Sequence, residues 1–141
     1  MINEFKKEYA FLSNFYYCSV IYQGNCYPTL EHAYQAAKAV NPEKRKEIQH
    51  AFSPAEAKSL GQQVEMFPDW EQIKLSVMES LVFDKFQNNK DLQEKLIATG
   101  EEFLTEGNYW HDNFWGDCYC KKCKGNPGKN NLGEILMRAR S

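Results

Sequence analysis

The 141-residue chain has no long apolar run and no excess of basic charge. No stretch approaches the roughly 18 consecutive apolar residues of a membrane-spanning helix, and the first residues contain no apolar core typical of a signal peptide. The net charge of −2 argues against a protein that binds bulk duplex nucleic acid by neutralising its phosphates. We therefore expect a cytoplasmic protein with no membrane partner.

Disulfide bonds are also not expected, because the cysteines are odd in number and no secretory signal is present. Of the five cysteines, Cys118, Cys120 and Cys123 are close together, a spacing that would present three thiolates to a zinc ion. The fourth ligand would come from one of the remaining donor side chains: His111, Asp117, Cys18 or Cys26. The second Cys-x-x-Cys pair of a strong zinc motif is missing, and a reduced loop with packed thiols is the favoured alternative. The sequence thus predicts no cofactor, with zinc at the three-cysteine loop as the minor alternative.

Local signals predict a mainly α fold with a short N-terminal β-hairpin. Residues 16–22 are rich in Tyr, Val and Ile, and Gln23-Gly24-Asn25 supplies a turn before a second short strand. Size and composition predict one compact helical domain over residues 1–141.

Helix-start signals recur along the chain. The longest predicted helix ends near residues 87–89, and the final one runs through Arg138 with Asn131 as its cap. Between Glu106 and Lys129 the sequence shows little periodicity but contains several aromatic residues, which favours a long, ordered, functional loop segment. The start signals are Thr29, Asn41-Pro42, Ser53-Pro54, Asp69 and Asn131.

The first of these helices carries a polar stripe. Glu31, Gln35 and Lys38 stand at i, i+4 and i+7 and share one face of the helix. From spacing alone an ordinary solvated face is the favoured interpretation. The many alanines suggest close packing, and a stripe that faced a cavity would make Glu31 a general base or oxocarbenium stabiliser and Lys38 a phosphate or oxyanion partner.

The histidines are weaker candidates. His32 points about 100° away from Glu31 on the same helix, so a satisfied packing role is expected. His50 lies at a helix end, where a cation meets the dipole. Three interpretations stay open for His111, which adjoins Asp112: metal binding, a catalytic role or simple surface exposure.

A second polar and aromatic group lies near the C-terminus. Asp112-Asn113-Phe114-Trp115-Gly116 is followed by Gly128-Lys129-Asn130-Asn131-Leu132-Gly133. This mixture suits a pocket that stacks a planar ring and places a carboxylate beside it.

Common catalytic motifs are absent. The sequence has no Gly-x-x-x-x-Gly-Lys-Ser/Thr loop, no Gly-x-Gly-x-x-Gly after a strand and no His-Glu-x-x-His, and no cysteine lies in a recognisable nucleophile setting. Carboxylates assisted by amides, lysine and aromatic stacking remain. Cleavage of a glycosidic bond to a ribose needs little else.

Several ordered motifs resemble those of the YbiA-like, or NADAR, family. They run from about Phe11 to Arg138, and are Phe11 to Tyr16, Thr29 to Lys38, Lys85-Phe86, Leu96 to Gly100, Glu106, Asp112 to Gly116 and Gly128 to Arg138. The resemblance implies a small helical N-glycosidase that cleaves a ribose C1′–N bond. Its substrate would be a phosphorylated ribosylamine of the riboflavin pathway, or ADP-ribosylated guanine in nucleic acid.

The resemblance also implies roles for individual residues. The catalytic candidates are Glu31, Lys38 and Asp112, with Glu31 or Asp112 meeting the anomeric carbon. One variant of the mechanism uses Lys38 as a nucleophile that forms a Schiff base with the opened ribose. The substrate-binding candidates are Asn14 and Phe15 at the substrate mouth, Gln35 on the helix, Lys85 near the phosphate, Arg138 by the phosphate or bracing the pocket, Trp115 and Gly116 with Asp112 against the sugar or base, and Asn131.

Two other classes of function stay open. The same pocket would suit a module that binds ADP-ribose or a related nucleotide without cleaving it. A zinc-bound structural partner is the third class.

The Cys118 to Cys123 run lengthens a loop that is shorter in some relatives, so the substrate is expected to differ among them.

Overall fold

The computed structural model describes all residues, 1–141, and its secondary structure is mostly helical. The chain divides into two units, which are described in turn: residues 14–89, and residues 1–13 together with 90–141. The predicted mainly α fold with a β-hairpin near the N-terminus is confirmed. The single domain over residues 1–141 stays a prediction. None of the helices has the length and apolar character needed to span a bilayer.

The unit of residues 14–89 contains the hairpin and four helices. Two left-handed residues, Gln23 (φ 48°) and Gly24 (φ 82°), form the hairpin turn, as a two-residue connection between antiparallel strands requires. The elements are β1 (Tyr17–Tyr22), β2 (Asn25–Thr29), α1 (Leu30–Lys38), α2 (Pro42–Gln49), α3 (Pro54–Gly61) and α4 (Trp70–Gln87).

Helix α1 is the centre of this unit. It packs against α2, α3, α4 and both strands of the hairpin. Ala33 and Ala36 are fully buried, and their small side chains let neighbouring elements approach closely. Because α1 is covered on several sides, most of its side chains lie in the interior, including polar ones.

Three of the predicted caps in this unit are confirmed. The side-chain oxygens of Thr29, Asn41 and Ser53 accept the N–H groups of His32, Glu43 and Glu56, respectively. In addition, the Glu56 carboxylate accepts the N–H of Phe52 at 3.2 Å. That reciprocal bond resembles a capping box, shifted by one residue from the usual acceptor pair.

The predicted cap at Asp69 is wrong. Asp69 precedes α4, but its backbone is not extended (φ −96°, ψ 13°), and its side chain makes no capping hydrogen bond. Helix α1 ends at Lys38, because Ala39 becomes extended and pairs with Met66 in an antiparallel bridge.

The other unit combines short strands, two short 3-10 turns and two helices. Near the N-terminus, Ile2 forms a parallel bridge with Leu104. Inside the segment predicted to be irregular, two strands of two residues each pair in parallel. Sequence patterns did not reveal these strands. The elements are a 3-10 turn (Lys7–Leu12), α5 (Lys90–Ala98), β3 (Gly107–Asn108), β4 (Asp117–Cys118), a 3-10 turn (Lys121–Cys123) and α6 (Asn131–Arg140).

The start of α6 differs from the prediction. Asn130, not Asn131, is the N-cap residue, and it is left-handed (φ 52°, ψ 41°) without a side-chain cap. Its side chain instead accepts the N–H of Glu106 at 3.0 Å and donates to the carbonyl of Leu104 at 2.9 Å. Asn tolerates the left-handed region better than most residues, and here its amide joins two distant segments of the same unit.

Candidate active site

The polar stripe of α1 is buried. Glu31 is 7% exposed and Gln35 is 5% exposed, while Lys38 is half-buried. Gln35 Nε2 donates a hydrogen bond of 2.6 Å to Glu31 Oε2. The solvated face that spacing alone favoured is therefore wrong, because the packing of other elements around α1 leaves these two side chains almost no access to water.

The fold supports a negative charge on Glu31. Glu31 is the second residue of α1, where the positive end of the helix dipole favours a carboxylate. Its backbone N–H donates to the carbonyl of Asn14 at 3.0 Å, which ties the helix start to the segment before the hairpin. Thr29 then satisfies the N–H of His32.

A glycine on α3 makes room for the Gln35 side chain. A Cβ atom at Gly61 would lie 1.9 Å from Gln35 Oε1 and 2.7 Å from Gln35 Cδ, both far inside van der Waals contact. Gly61 was not predicted as a site residue, because at the end of a helical pattern it is indistinguishable from an ordinary terminating glycine. Its role depends on a neighbour on another helix.

Two buried amide oxygens in this unit lack hydrogen-bond partners: Asn14 Oδ1 and Gln35 Oε1. Asn14 Nδ2 makes only a weak contact of 3.7 Å with Met78 Sδ. Buried side-chain oxygens are nearly always hydrogen-bonded, so these two exceptions suit a site where a bound ligand supplies the missing donors. Both oxygens are acceptors suited to the hydroxyl groups of a sugar.

Two lysines of this unit have a pKa lowered by burial. Loss of solvent lowers the pKa of Lys38, although the nearby Glu31 charge raises it and Lys58 lowers it further. Lys85 on α4 is 1% exposed, and burial lowers its pKa from 10.5 to about 8, opposed by Cys18. A lowered pKa increases the fraction of neutral amine, which a nucleophilic lysine requires.

His32 has the packing role that was predicted. It is fully buried, its Nδ1 lies 2.7 Å from Thr29 Oγ1, and its Nε2 lies 3.1 Å from the carbonyl of Ala51. Because a carbonyl only accepts, Nε2 carries the proton and Nδ1 accepts from the Thr29 hydroxyl. Burial lowers the pKa of His32, which favours its neutral form, and its two hydrogen bonds brace α1.

The Asp112 to Gly116 segment lies in the other unit and is tightly organised. Asp112 Oδ1 accepts the N–H groups of Phe114 at 3.1 Å and Trp115 at 2.9 Å, so part of this carboxylate holds the turn that precedes Trp115. The rings of Phe114 and Trp115 meet edge to face with centroids 4.7 Å apart. Trp115 is half-buried.

The remaining predicted binding residues differ in exposure. Phe15, of the unit of residues 14–89, is 40% exposed. In the other unit Gly116 is buried, Asn131 is half-buried and Arg138 is exposed near the end of α6. A Cβ atom at Gly116 would lie 2.1 Å from the carbonyl oxygen of Glu106, so this position accepts only glycine. Asn14, Glu31, Gln35 and Lys38 are thus brought together in one unit, and Asp112, Trp115 and Gly116 in the other.

The three-cysteine loop also forms a cluster. The metal-binding atoms of His111, Cys118, Cys120 and Cys123 all lie within 4.8 Å of one another. Among the proposed fourth ligands, Asp117 is already used, because its Oδ1 accepts the N–H of Gly128 at 2.9 Å. His111 is therefore the fourth donor of this cluster.

Comparison with known proteins identifies the family of this chain. The NADAR domain family matches residues 2–141. The chain belongs to the NADAR family. The N-terminal motif, the α1 motif and the Asp112 to Gly116 motif from which the resemblance was inferred all fall within this match.

Relatives in the NADAR family carry informative names. The N-glycosidase YbiA of Escherichia coli is 33% identical over 135 residues, covering 94% of this chain and 81% of that protein. An N-glycosidase of Nostoc punctiforme is 36% identical and covers 94% of this chain and 84% of that protein. A riboflavin biosynthesis protein of Vibrio vulnificus is 36% identical over 136 residues, but the chain spans only 35% of its length.

A solved structure has the same fold. The NMR structure of the Escherichia coli protein YbiA superposes with a TM-score of 0.82 at 31% sequence identity, covering 99% of this chain and 84% of that one. Because the NADAR relatives named N-glycosidase align over nearly the whole chain, the prediction of an N-glycosidase enzyme is confirmed.

Proposed function

We propose that this NADAR protein hydrolyses the C1′–N bond of a phosphorylated ribosylamine, using Glu31 and Lys38 of α1. The observation that carries the proposal is the buried pair of Glu31 and Gln35, joined at 2.6 Å, together with the buried amide oxygens of Gln35 and Asn14, which have no partners. A solvated helix face would leave its carboxylate exposed to water. A site that binds a sugar and stabilises a cationic centre requires a buried carboxylate.

The reaction needs one carboxylate and one water molecule. The C1′–N bond breaks with its electron pair on nitrogen, which takes up a proton, and positive charge develops at C1′ and the ring oxygen. Glu31 stabilises that charge and accepts a proton from the attacking water as the new C1′–O bond forms. Gln35 is a positioning residue, because its amide N–H fixes the orientation of the Glu31 carboxylate.

Lys38 has two proposed roles. As a cation it holds the phosphate or a developing oxyanion. As a neutral amine it attacks C1′, displaces the nitrogen of the substrate and forms an imine with the opened ribose, which water then hydrolyses. The lowered pKa of Lys38 supports the second role, because it raises the neutral fraction near pH 7.

Borohydride separates these roles. If the imine forms, reduction during turnover leaves a stable ribosyl adduct on Lys38 that mass spectrometry locates. Lys46→Met is the matched control, since Lys46 also lies in the last turn of its helix but is exposed. A productive substrate that leaves no adduct on Lys38 rules out the Schiff-base route.

The relatives favour a substrate from riboflavin synthesis. Two of the proteins aligned with this chain, from Vibrio vulnificus and Zea mays, are named riboflavin biosynthesis proteins, although the chain spans only 35% and 19% of their lengths. We therefore propose an early phosphorylated ribosylamine of that pathway as the substrate. Asp112, Trp115, Gly116, Asn131 and Arg138 stay proposed as further catalytic and binding residues.

A substrate panel tests the proposal. Ribosylamine phosphates of the riboflavin pathway, ADP-ribosylated guanine in DNA, NAD and free ADP-ribose are each incubated with the protein, and the released amine or base is measured by chromatography and mass spectrometry. We expect release from a ribosylamine phosphate. Release from ADP-ribosylated guanine alone would support the other predicted substrate, and binding without release would identify a non-catalytic nucleotide-binding module.

A further inference from the structure

The cluster of His111, Cys118, Cys120 and Cys123 has an unusual geometry. The His111 Nδ1 atom lies 3.5 Å from Cys123 Sγ, 3.9 Å from Cys118 Sγ and 3.3 Å from Cys120 Sγ. Three sulfur atoms thus surround a single ring nitrogen. All four atoms lie within 4.8 Å of one another.

Hydrogen bonding alone does not explain this arrangement. A ring nitrogen holds at most one proton, which points in one direction and so makes one good hydrogen bond. A tetrahedral zinc ion, with Zn–S bonds of about 2.3 Å and Zn–N bonds of about 2.0 Å, separates a nitrogen ligand from each sulfur by about 3.5 Å and two sulfurs by about 3.8 Å. The three nitrogen–sulfur distances fall around that value.

The backbone is shaped to bring these donors together. Asn108 holds the chain before and after His111, because its side chain accepts the N–H groups of Trp110 and Asp112 and donates to the carbonyl of Asp112. His111 itself is left-handed (φ 69°), a conformation that is strained for a residue with a Cβ atom. Strain of this kind clusters at binding sites, where the surrounding structure maintains it.

The cysteines come from two short elements. Cys118 ends β4 and is buried, whereas Cys120 precedes and Cys123 ends a 3-10 turn closed by the bond from the Cys123 N–H to the Cys120 carbonyl at 3.2 Å. Two sulfurs spaced Cys-x-x-Cys on a tight turn approach a metal from the same side. Cys118 and His111 supply the other two corners.

Surrounding groups suit bound thiolates. Asn113 Nδ2 donates to Cys123 Sγ at 3.3 Å, and Asn113 Oδ1 accepts the N–H of Cys118 at 2.9 Å, so one side chain orients two of the cysteines. Three thiolates and a neutral imidazole around Zn²⁺ leave a net charge of −1. Exposed lysines in the same loop offset that charge: Lys121, Lys122 and Lys124.

We propose that His111, Cys118, Cys120 and Cys123 bind one structural Zn²⁺ ion. Binding releases the thiol protons to solvent as three Zn–S bonds and one Zn–N bond form. Four protein ligands close the tetrahedron and leave no position for water, so the ion has a structural role and not a catalytic one. It would pin the segment from His111 to Cys123, which contains Trp115 and Gly116.

Metal analysis of the purified protein tests this site. We expect about one zinc ion per chain in protein purified under reducing conditions without chelator. Cys120→Ser and Cys123→Ser should each lose most of the zinc. Cys26→Ser is the matched control, because Cys26 is an exposed cysteine on β2 outside the cluster and should leave the zinc content unchanged.

A second measurement identifies the ligands without relying on stability. Co²⁺ added to the metal-free protein should give the visible spectrum of a tetrahedral site and a thiolate-to-cobalt charge-transfer band. The band should weaken in Cys123→Ser, and the tetrahedral spectrum should persist with four thiolates in His111→Cys. Protein that is folded and reduced, yet contains no zinc and gives no tetrahedral cobalt spectrum, would overturn the proposal.

Hydrogen exchange then tests what the ion holds. Removing zinc with a chelator should increase exchange of backbone amides in residues 108–124, while α5 keeps its protection. Equal protection of residues 108–124 with and without metal would contradict the structural role of the ion.

Discussion

The burial of Glu31 beside Gln35 depends on the missing side chain at Gly61. The Gln35 amide occupies the space where any Cβ atom at position 61 would lie. This contact makes Gly61 a residue of the candidate site, although it carries no reactive group. A substitution there should act through Gln35 on the orientation of the Glu31 carboxylate.

Gly61→Ala should therefore displace Gln35 and break its hydrogen bond to Glu31. We expect overpacking to destabilise the protein by about 1–3 kcal/mol and the rate of bond cleavage to fall. Chemical denaturation and single-turnover assays measure the two effects.

A double-mutant cycle with Gln35→Ala is the control for this effect. Most of the destabilisation by Gly61→Ala should vanish when position 35 is already alanine, because the clashing amide is gone. If Gly61→Ala were equally destabilising in both backgrounds, the clash with Gln35 would not be its cause.

The burial of Lys85 leads to a prediction about how the stability of the protein depends on pH. At pH 7 the ammonium is charged in the folded and unfolded states, and its lowered pKa corresponds to an unfavourable burial of about 3 kcal/mol at most. Lys85→Met should raise the free energy of unfolding at pH 7. Because the unfolded state binds more protons between pH 8 and 10.5, the wild type should gain stability over that window and the difference should shrink.

Urea denaturation of both proteins at several pH values measures this difference. Lys90→Met, at an exposed lysine at the start of α5, is the control and should change stability little at any pH. A Lys85→Met variant that is less stable than the wild type at pH 7 would show that its contacts outweigh its desolvation.

At the scale of elements, α6 and the segment before it are joined by Asn130. Its side chain satisfies the Glu106 N–H and the Leu104 carbonyl, and its backbone N–H donates to the carbonyl of Gly116 at 3.1 Å. One residue therefore joins the segment before β3 to the start of α6. The same residue is left-handed, which explains why a short polar side chain stands there.

Asn130→Ala should destabilise the protein by at least about 2 kcal/mol, because it leaves two backbone groups without partners and places alanine in a left-handed conformation. Thermal and chemical denaturation provide the measurement. Asn131→Ala is the neighbouring comparison: as a predicted binding residue it should weaken substrate binding with a smaller effect on stability. A large loss of stability in Asn131→Ala, with weaker substrate binding and little loss of stability in Asn130→Ala, would contradict the roles assigned to both residues.

The local elements could be predicted from the sequence because their signals are local. The hairpin turn and the caps at Thr29, Asn41 and Ser53 depend on residues within a few positions of each other. Asp69 has the right residue type for a cap, but its backbone follows the chain from Phe67, whose carbonyl accepts the Trp70 N–H. A local turn there overrides the capping preference of the aspartate.

The candidate site was only partly predictable, for the same reason. Spacing places Glu31, Gln35 and Lys38 on one face of α1, but whether that face is solvated depends on α2, α3 and α4, which pack around the helix. Gly61 and Asn130 act through contacts with residues distant in sequence. The sequence leaves four candidates for the fourth donor of the proposed zinc site. Only the fold shows that His111 lies with the three cysteines.

For the whole molecule, the family match carries the functional conclusion. The NADAR domain covers residues 2–141, and relatives named N-glycosidase align over 94% of the chain. No generic catalytic motif is present, so composition and spacing alone narrow the chemistry to carboxylates and amines. The proposed substrate follows from the names of relatives together with the buried polar face of α1.

The most direct test of the account is a single-turnover assay of amine release from a ribosylamine phosphate. Glu31→Gln should slow release by at least about a hundredfold, the scale of a general acid or base. Glu71→Gln is the matched control, because Glu71 is the second residue of α4 but is exposed, and it should react like the wild type. Wild-type rates in a folded Glu31→Gln protein would contradict the proposed mechanism.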